Sequence, residues 1–588
     1  MRVAGRAPKR IAFSGVRRAQ AAGFLSLGLA FFLLYLGLRS AAFPGDGVVF
    51  AGAIRSAISG ARGTPSVLYH PHHILYNPLC LAVLSLGGAD AADPFAILYG
   101  MAAVSAACGA IAMAALGAAV ARGGGSLFAG LAAAATLGAS RGMWIWATRS
   151  EVYSLSAALV ALALVAVATT PVRRLGHALA GAAAGAAVLG HITNVLMLPG
   201  LLAATAWSAA DGSLDATQRR TRRRSAVLAF LAAAAGVVGA GYLAGAAAAG
   251  VSSPRGFLSW FAPRYNIESV LTFSPRNLFA DLSAMSFSFS VPAQHLPIPW
   301  LPSRLSSARP AIQLLYSLLA SAVWLARAIV ACLFFGMLVA VARRARRPEA
   351  GGLSTVVNPA PLMIACAGGF VPLGIFFTFW DAGNEEFWLV PFMLLCGLLG
   401  CGLAALQRRT SAPARSLGVL LGAGLLPVAL LAANIPGAVL TELFPEQNED
   451  LAYCRLAERA GRSGDAVLLS GVGERRALMF YLPYFSRRQA LVAAWTFLDP
   501  RGTEQGIFHL GESLASAAAV DAGPWLLSEW DAPGARRELA ERAGPHLSGF
   551  EALVQSYRRV EIARDEKRRT LWRLEPLKPI SGLPGQPR

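Results

Sequence analysis

Lysine is almost missing from this chain. Of 588 residues only Lys9, Lys567 and Lys578 are lysine, so the 52 basic residues are nearly all arginine, a composition that fits a bacterium with a GC-rich genome. Charge of either sign is scarce too: 14% of residues are charged against 55% hydrophobic, and the mean hydropathy is +0.52. That shortage excludes an ordinary soluble protein. The net charge of +20 invites a nucleic-acid partner, but the arginines sit in short clusters between apolar blocks, the pattern of cytoplasmic loops, so no nucleic acid is expected. The seven cysteines show neither a disulfide framework nor metal-type spacing. Cys80, Cys108, Cys332, Cys366, Cys396 and Cys401 fall in or beside apolar blocks, and only Cys454 lies in the polar tail.

What is abundant is apolar sequence in blocks of about twenty residues, the length that crosses ~30 Å of hydrocarbon. Many blocks are rich in Ala and Gly, which lets helix backbones approach closely in lipid. The first block follows Arg2, Arg6, Lys9, Arg10, Arg17 and Arg18. Its run is longer than the ~7–15 apolar residues of a signal peptide, so a retained first helix is expected. Placing the N-terminal cluster, Arg122, Arg173/Arg174, Arg219–Arg224, Arg343–Arg347 and Arg408/Arg409/Arg415 in the cytoplasm gives about eleven transmembrane helices. They fall near 21–42, 94–121, 125–140, 151–171, 176–190, 193–207, 225–246, 312–342, 358–380, 386–407 and 416–439. The odd count leaves the N-terminus cytoplasmic and the C-terminus periplasmic or extracellular, in a bacterial inner (plasma) membrane. Two choices follow from the arginines: His73–Leu86 does not cross but lies re-entrant or interfacial, and 176–207 crosses twice, turning near His191.

The fold class is therefore an all-α polytopic membrane protein with a small C-terminal α/β domain. Residues 1–440 form the transmembrane domain, with a first external loop at 43–93. Residues 441–588 form the extracytoplasmic domain and a Pro/Gly-rich tail. Asp465–Ser470 and Pro524–Ser528 read as buried strands and Arg536–Ala543 as a helix.

Polar residues gather on the external side. Asp46 follows the first helix in Pro-Gly-Asp-Gly. His70, His72 and His73 come next, then Arg149, Glu151 and Tyr153 after Trp144 and Trp146, then His191 with Thr193 and Asn194, and finally Asp381, Glu385 and Glu386. Ionisable groups near membrane depth are costly and mark function by default. Each also has a plainer account. Asp46 and the 381–386 acids can be solvated loop residues. Glu151 can serve a helix N-terminus. The histidines can be interfacial or a metal site, although no carboxylate stands at a fixed spacing from them. Arg327, inside the apolar run 311–342, can snorkel to the interface or bind a lipid phosphate.

Gly45-Asp46, then His70-Pro71 with Leu75-Tyr76 and Pro78, Trp146…Glu151-Val152-Tyr153, and His191-Ile192-Thr193 before Leu198-Pro199 resemble motifs of the GT-C superfamily of polyprenyl-phosphate-sugar glycosyltransferases, in its bacterial branch related to protein O-mannosyltransferases. The resemblance covers about 1–210, and 380–391 loosely. It implies inverting transfer of a hexosyl (mannosyl) or pentosyl group from a polyprenyl-phosphate sugar donor to a protein, lipid or glycan acceptor, among membrane lipids. It further implies Asp46 as the catalytic base and Arg149 or Arg327 on the departing phosphate. His70, His72, His73 and His191 would line the substrate site with Tyr153, Asp381 and Glu385, and Glu151 would bind sugar hydroxyls or orient Arg149. Many relatives carry two adjacent acids in the first loop. Here Gly47 follows Asp46, so no metal cofactor is expected. A transporter or lipid flippase is the rival reading; it calls for an internal repeat and polar residues through the membrane centre, and the sequence shows neither.

Overall fold

A computed structural model of the chain describes residues 11–61, 65–169, 174–209, 215–262, 274–289, 359–409, 413–439 and 442–577, apart from 461, 463, 500–501 and 520–523. The expected span 312–342 and Arg327 lie outside the described residues. The chain divides into two compact units. One comprises Met1–Ser40, Ser56–Asp90 and Tyr99–Leu443; the other comprises Ala41–Arg55, Ala91–Leu98 and Phe444–Arg588.

The first unit is helical. Among the described residues five stretches are long and apolar enough to cross a bilayer: Ala19–Gly37, Pro94–Gly124, Ala216–Ala248, Ala360–Trp380 and Glu385–Gln407. Arg141–Thr148 and Tyr153–Thr169, bent by 118° at their junction, make a sixth if taken as one span. The protein is a multi-pass membrane protein.

The expected span 125–140 is a helix of only 13 residues, Leu127–Ala139. At 1.5 Å per residue it reaches about 20 Å of the ~30 Å hydrocarbon core. It stops because Ser140 is extended and starts the next helix, its hydroxyl accepting from the Met143 amide at 3.3 Å. Likewise Arg174–Gly190 ends at His191, which caps the turn Ile192–Met197 before the helix Leu198–Ser208. Tyr76–Leu86 is an 11-residue helix, about 16 Å long and also too short to span.

Small residues set the helix spacing. A Cβ on Gly181 would overlap the Phe230 backbone carbonyl, and one on Gly185 would lie 2.8 Å from the Ala234 carbonyl oxygen. The helices Arg174–Gly190 and Ala216–Ala248 thus touch backbone to backbone, a small-xxx-small contact.

The second unit holds a five-stranded sheet: β1 (Ala466–Leu469), β2 (Gln489–Val492), β3 (Trp525–Leu527), β4 (Tyr557–Arg564) and β5 (Thr570–Pro576), ordered β2-β1-β3-β5-β4. β1 runs parallel to β2 and β3, while β5 is antiparallel to β3 and β4. β1 and β3 are buried along their whole length, which is why they read as unbroken apolar runs. Leu468, Leu526, Leu514, Leu539 and Phe550 form the core. The expected helix at 536–543 starts earlier, at Pro533, a proline fitting the first helical turn.

Candidate active site

Asp46 stands in the first turn of the helix Gly45–Ile58, where the helix dipole favours a carboxylate. Gly45 is needed for the approach of Phe480, whose Cδ2 would lie 2.7 Å from a Cβ at that position. Two residues before Gly45, Phe43 is held through both backbone groups by Tyr481 Oη. The Asp46 side chain keeps solvent access, yet surrounding protein raises its carboxyl above the ordinary value, with the positive charge of Arg476 pulling it back down. Among the described residues no hydrogen bond reaches its carboxylate. The segment bearing Asp46 therefore belongs to the second unit, with the C-terminal sheet.

In the first unit the histidines form one cluster. His70 stacks on His73 at 4.5 Å and meets His72 edge-on at 4.9 Å. The Ile192 amide donates to the His72 carbonyl at 2.8 Å, which joins the loop 70–73 to the turn that begins at His191. Burial, helped by the neighbouring rings, pushes His70 and His191 down to about 4, and burial also lowers His72 and His73. These are neutral imidazoles at physiological pH, each offering one donor and one acceptor. Tyr153 packs its ring against His191 at 5.7 Å and against Trp146 at 5.0 Å, and its hydroxyl donates to Glu386.

Arg149 makes a two-pronged ion pair with Glu442, Nε to Oε2 at 3.2 Å and Nη2 to Oε1 at 2.5 Å, and Ser40 donates to the same carboxylate at 2.8 Å. Glu151 is buried just before the helix Tyr153–Thr169. Its Oε2 accepts from the Val152 amide at 3.3 Å and its carbonyl accepts from Ser105 at 3.0 Å. Glu385 pairs with Arg141. Asp381 is exposed and accepts from the Asn384 side chain at 2.9 Å, closing the turn ahead of Glu385. Among the described residues no three His, Cys, Asp or Glu side chains are arranged to hold a metal ion.

The fold has solved counterparts. The chain superposes on ArnT from Cupriavidus metallidurans bound to undecaprenyl phosphate with a TM-score of 0.54 and 13% identity, covering 94% of this chain and 97% of that one. The apo form of the same protein matches with a TM-score of 0.54 and 13% identity, over 96% and 98%. The chain shares the fold of ArnT. No protein-family model matches the chain, and no curated protein does.

Sequence reasoning missed several residues of this arrangement. Glu442 engages Arg149 from 293 positions away. Tyr242 donates to the Pro71 carbonyl at 3.0 Å and Trp260 to the Tyr69 carbonyl at 3.1 Å, holding the chain on either side of His70. Asp281 is buried, that burial raises its carboxyl, and among the described residues neither of its oxygens has a hydrogen-bond partner. Glu442 was open to discovery as the first carboxylate after the last apolar block. Tyr242 and Trp260 carried no signal, because aromatics at the ends of apolar blocks are common in membrane helices.

Proposed function

We propose that this protein is a membrane glycosyltransferase that moves a sugar from a polyprenyl-phosphate donor to an acceptor hydroxyl on the external face of the membrane. The observation that carries the reading is the GT-C fold over nearly the whole chain, with an acidic residue, Asp46, in the first helical turn after the first membrane helix. The related ArnT structure is bound to undecaprenyl phosphate, and that lipid phosphate is the donor carrier assigned here.

In the reaction the acceptor oxygen forms a bond to the sugar C1. The bond from C1 to the phosphate oxygen breaks, and its electron pair leaves with the phosphate. The acceptor hydroxyl proton passes to the Asp46 carboxylate and then to solvent, which is general-base catalysis. The solvent access of Asp46 and its freedom from hydrogen bonds suit a group that must take up a proton. The neutral histidines and Tyr153 suit sugar hydroxyls, which need donors and acceptors without charge, and Glu151 is close enough in sequence to serve them. Asp381 and Glu385 are assigned to the acceptor side. The sugar is a hexose or pentose, and the transfer inverts C1.

The test is transfer by purified protein from a panel of radiolabelled polyprenyl-phosphate sugars. Asp46→Asn keeps the shape but not the basicity, so turnover should fall by ~10²–10⁴ while donor binding survives. The acid limb of the wild-type pH–rate profile should lie above the ordinary carboxylate value, because burial raises the Asp46 carboxyl. A folded Asn variant with wild-type turnover removes this mechanism.

A further inference from the structure

We infer that Arg476, delivered by the C-terminal unit, is the residue that binds the donor's phosphate beside Asp46. This rests on the glycosyltransferase reading and names the part of that site which recognises the lipid phosphate.

The first support is position. The Met479 amide donates to the Arg476 carbonyl and the Phe480 amide to the Ala477 carbonyl, a tight turn that leads into the helix Leu478–Tyr481. Arg476 thus stands on the turn that opens this helix, four residues before Phe480. Phe480 lies against Gly45, the neighbour of Asp46. The turn is fixed to the Asp46 segment by Tyr481, whose hydroxyl bonds both backbone groups of Phe43 at 2.6 and 3.0 Å. Arg476 also follows the loop that leaves β1, where Gly471 and Gly473 adopt positive φ of 71° and 68°. That loop sits at the carboxyl ends of the parallel strands, the edge where open α/β sheets bind ligands.

The second support is availability. Arg149 is taken by Glu442, Arg141 by Glu385, and Arg475 by Glu449 and Asp450. Arg55 donates to the carbonyls of Ala91, Ala92 and Tyr484. Arg476 is exposed, and among the described residues its guanidinium makes no hydrogen bond or ion pair. A guanidinium fork matches phosphate oxygens in a two-pronged way.

The third support is the kind of relation it has with Asp46. Arg476 acts on Asp46 through charge, without an ion pair. In an inverting site the base and the group on the leaving side stand on opposite faces of the sugar, with the acceptor and C1 between them, so the two do not pair directly. As the bond from C1 to phosphate breaks, negative charge grows on the phosphate oxygens, and Arg476 would stabilise it.

The test is equilibrium binding of undecaprenyl phosphate to the full chain in lipid nanodiscs, with inorganic phosphate as competitor. Arg476→Ala should weaken binding roughly ten- to a hundredfold, the effect of losing a charge-assisted hydrogen bond, with an unchanged thermal midpoint. Arg476→Lys should recover part of the affinity, since it keeps charge but not the fork. Where transfer is measured, the acid limb of the Arg476→Ala rate profile should move to higher pH, because the charge that lowers Asp46 is gone. Affinity within twofold of wild type in Arg476→Ala, or no binding by the wild type, overturns the proposal. A wild type that binds undecaprenyl phosphate through Arg476 but transfers no sugar defeats the glycosyltransferase reading and leaves this one standing. Competition by inorganic phosphate at micromolar concentration would show recognition of free phosphate instead of the lipid-borne group, and would also overturn it.

Discussion

Tyr481 holds Phe43 with one hydroxyl, donating to its carbonyl at 2.6 Å and accepting from its amide at 3.0 Å. Both residues are buried, so the two backbone groups of Phe43 have no water to replace that hydroxyl. Tyr481→Phe should therefore cost about 1–3 kcal/mol, the effect of losing two buried hydrogen bonds, measured by thermal unfolding. Because Asp46 follows three residues later, turnover should fall further than donor affinity.

The ion pair of Arg149 with Glu442 gives a second expectation. The pair is largely shielded from water, with side chains 18% and 26% exposed. Arg149→Ala leaves Glu442 with Ser40 and without its cation, and should destabilise the protein by about 1–3 kcal/mol. The double variant with Glu442→Ala should regain part of that loss, since removing both charges removes the stranded one. Undecaprenyl phosphate affinity should change less than in Arg476→Ala.

How much of this was legible in the sequence depends on how local each cause is. The turn at His191 follows from arginines on both flanks of 176–207, and β1 and β3 show as apolar runs because both their faces are covered. The break at Ser140 was hidden, since a serine inside an apolar block reads as one more small residue until its hydroxyl is seen capping Met143. The histidines announced themselves by type, but not the Tyr242 and Trp260 bonds that shape their loop. Asp46 was found by its place after the first helix. That it is carried by the C-terminal sheet could not be read, because its anchor is a tyrosine in an unremarkable stretch of the polar tail. The span 312–342 stays an expectation.

The histidine cluster sets a pH dependence. His191 titrates at about 4 in the folded chain, against an ordinary value near 6.5 in the unfolded one. The folded state thus holds fewer protons through that window, and stability present above 6.5 is lost as pH falls toward 4. The loss from His191 should approach about 3 kcal/mol, and His191→Gln should flatten that part of a thermal-midpoint series between pH 7 and pH 4. An equal slope in the variant would show that the imidazole is not the group responsible.

Gly181 offers a packing test. Any side chain there meets the Phe230 backbone, which cannot move without moving its helix. Gly181→Val should destabilise by about 1–3 kcal/mol or more, whereas Gly239→Val, at a position with nothing within 4 Å of its Cβ site, should be tolerated. Thermal unfolding in detergent separates the two.

The Tyr481–Phe43 bond also fixes an order of events during synthesis. The two residues are 438 positions apart in the chain, and at about 5–20 residues per second the ribosome needs roughly 20–90 s to travel from one to the other. Phe43 and the carboxylate beyond it emerge early and must wait, unanchored, while every membrane helix up to residue 434 is made and inserted. A newborn chain is thus without its clamp until its polar tail is made and folded, so the last step of its maturation is also the one that readies its first loop.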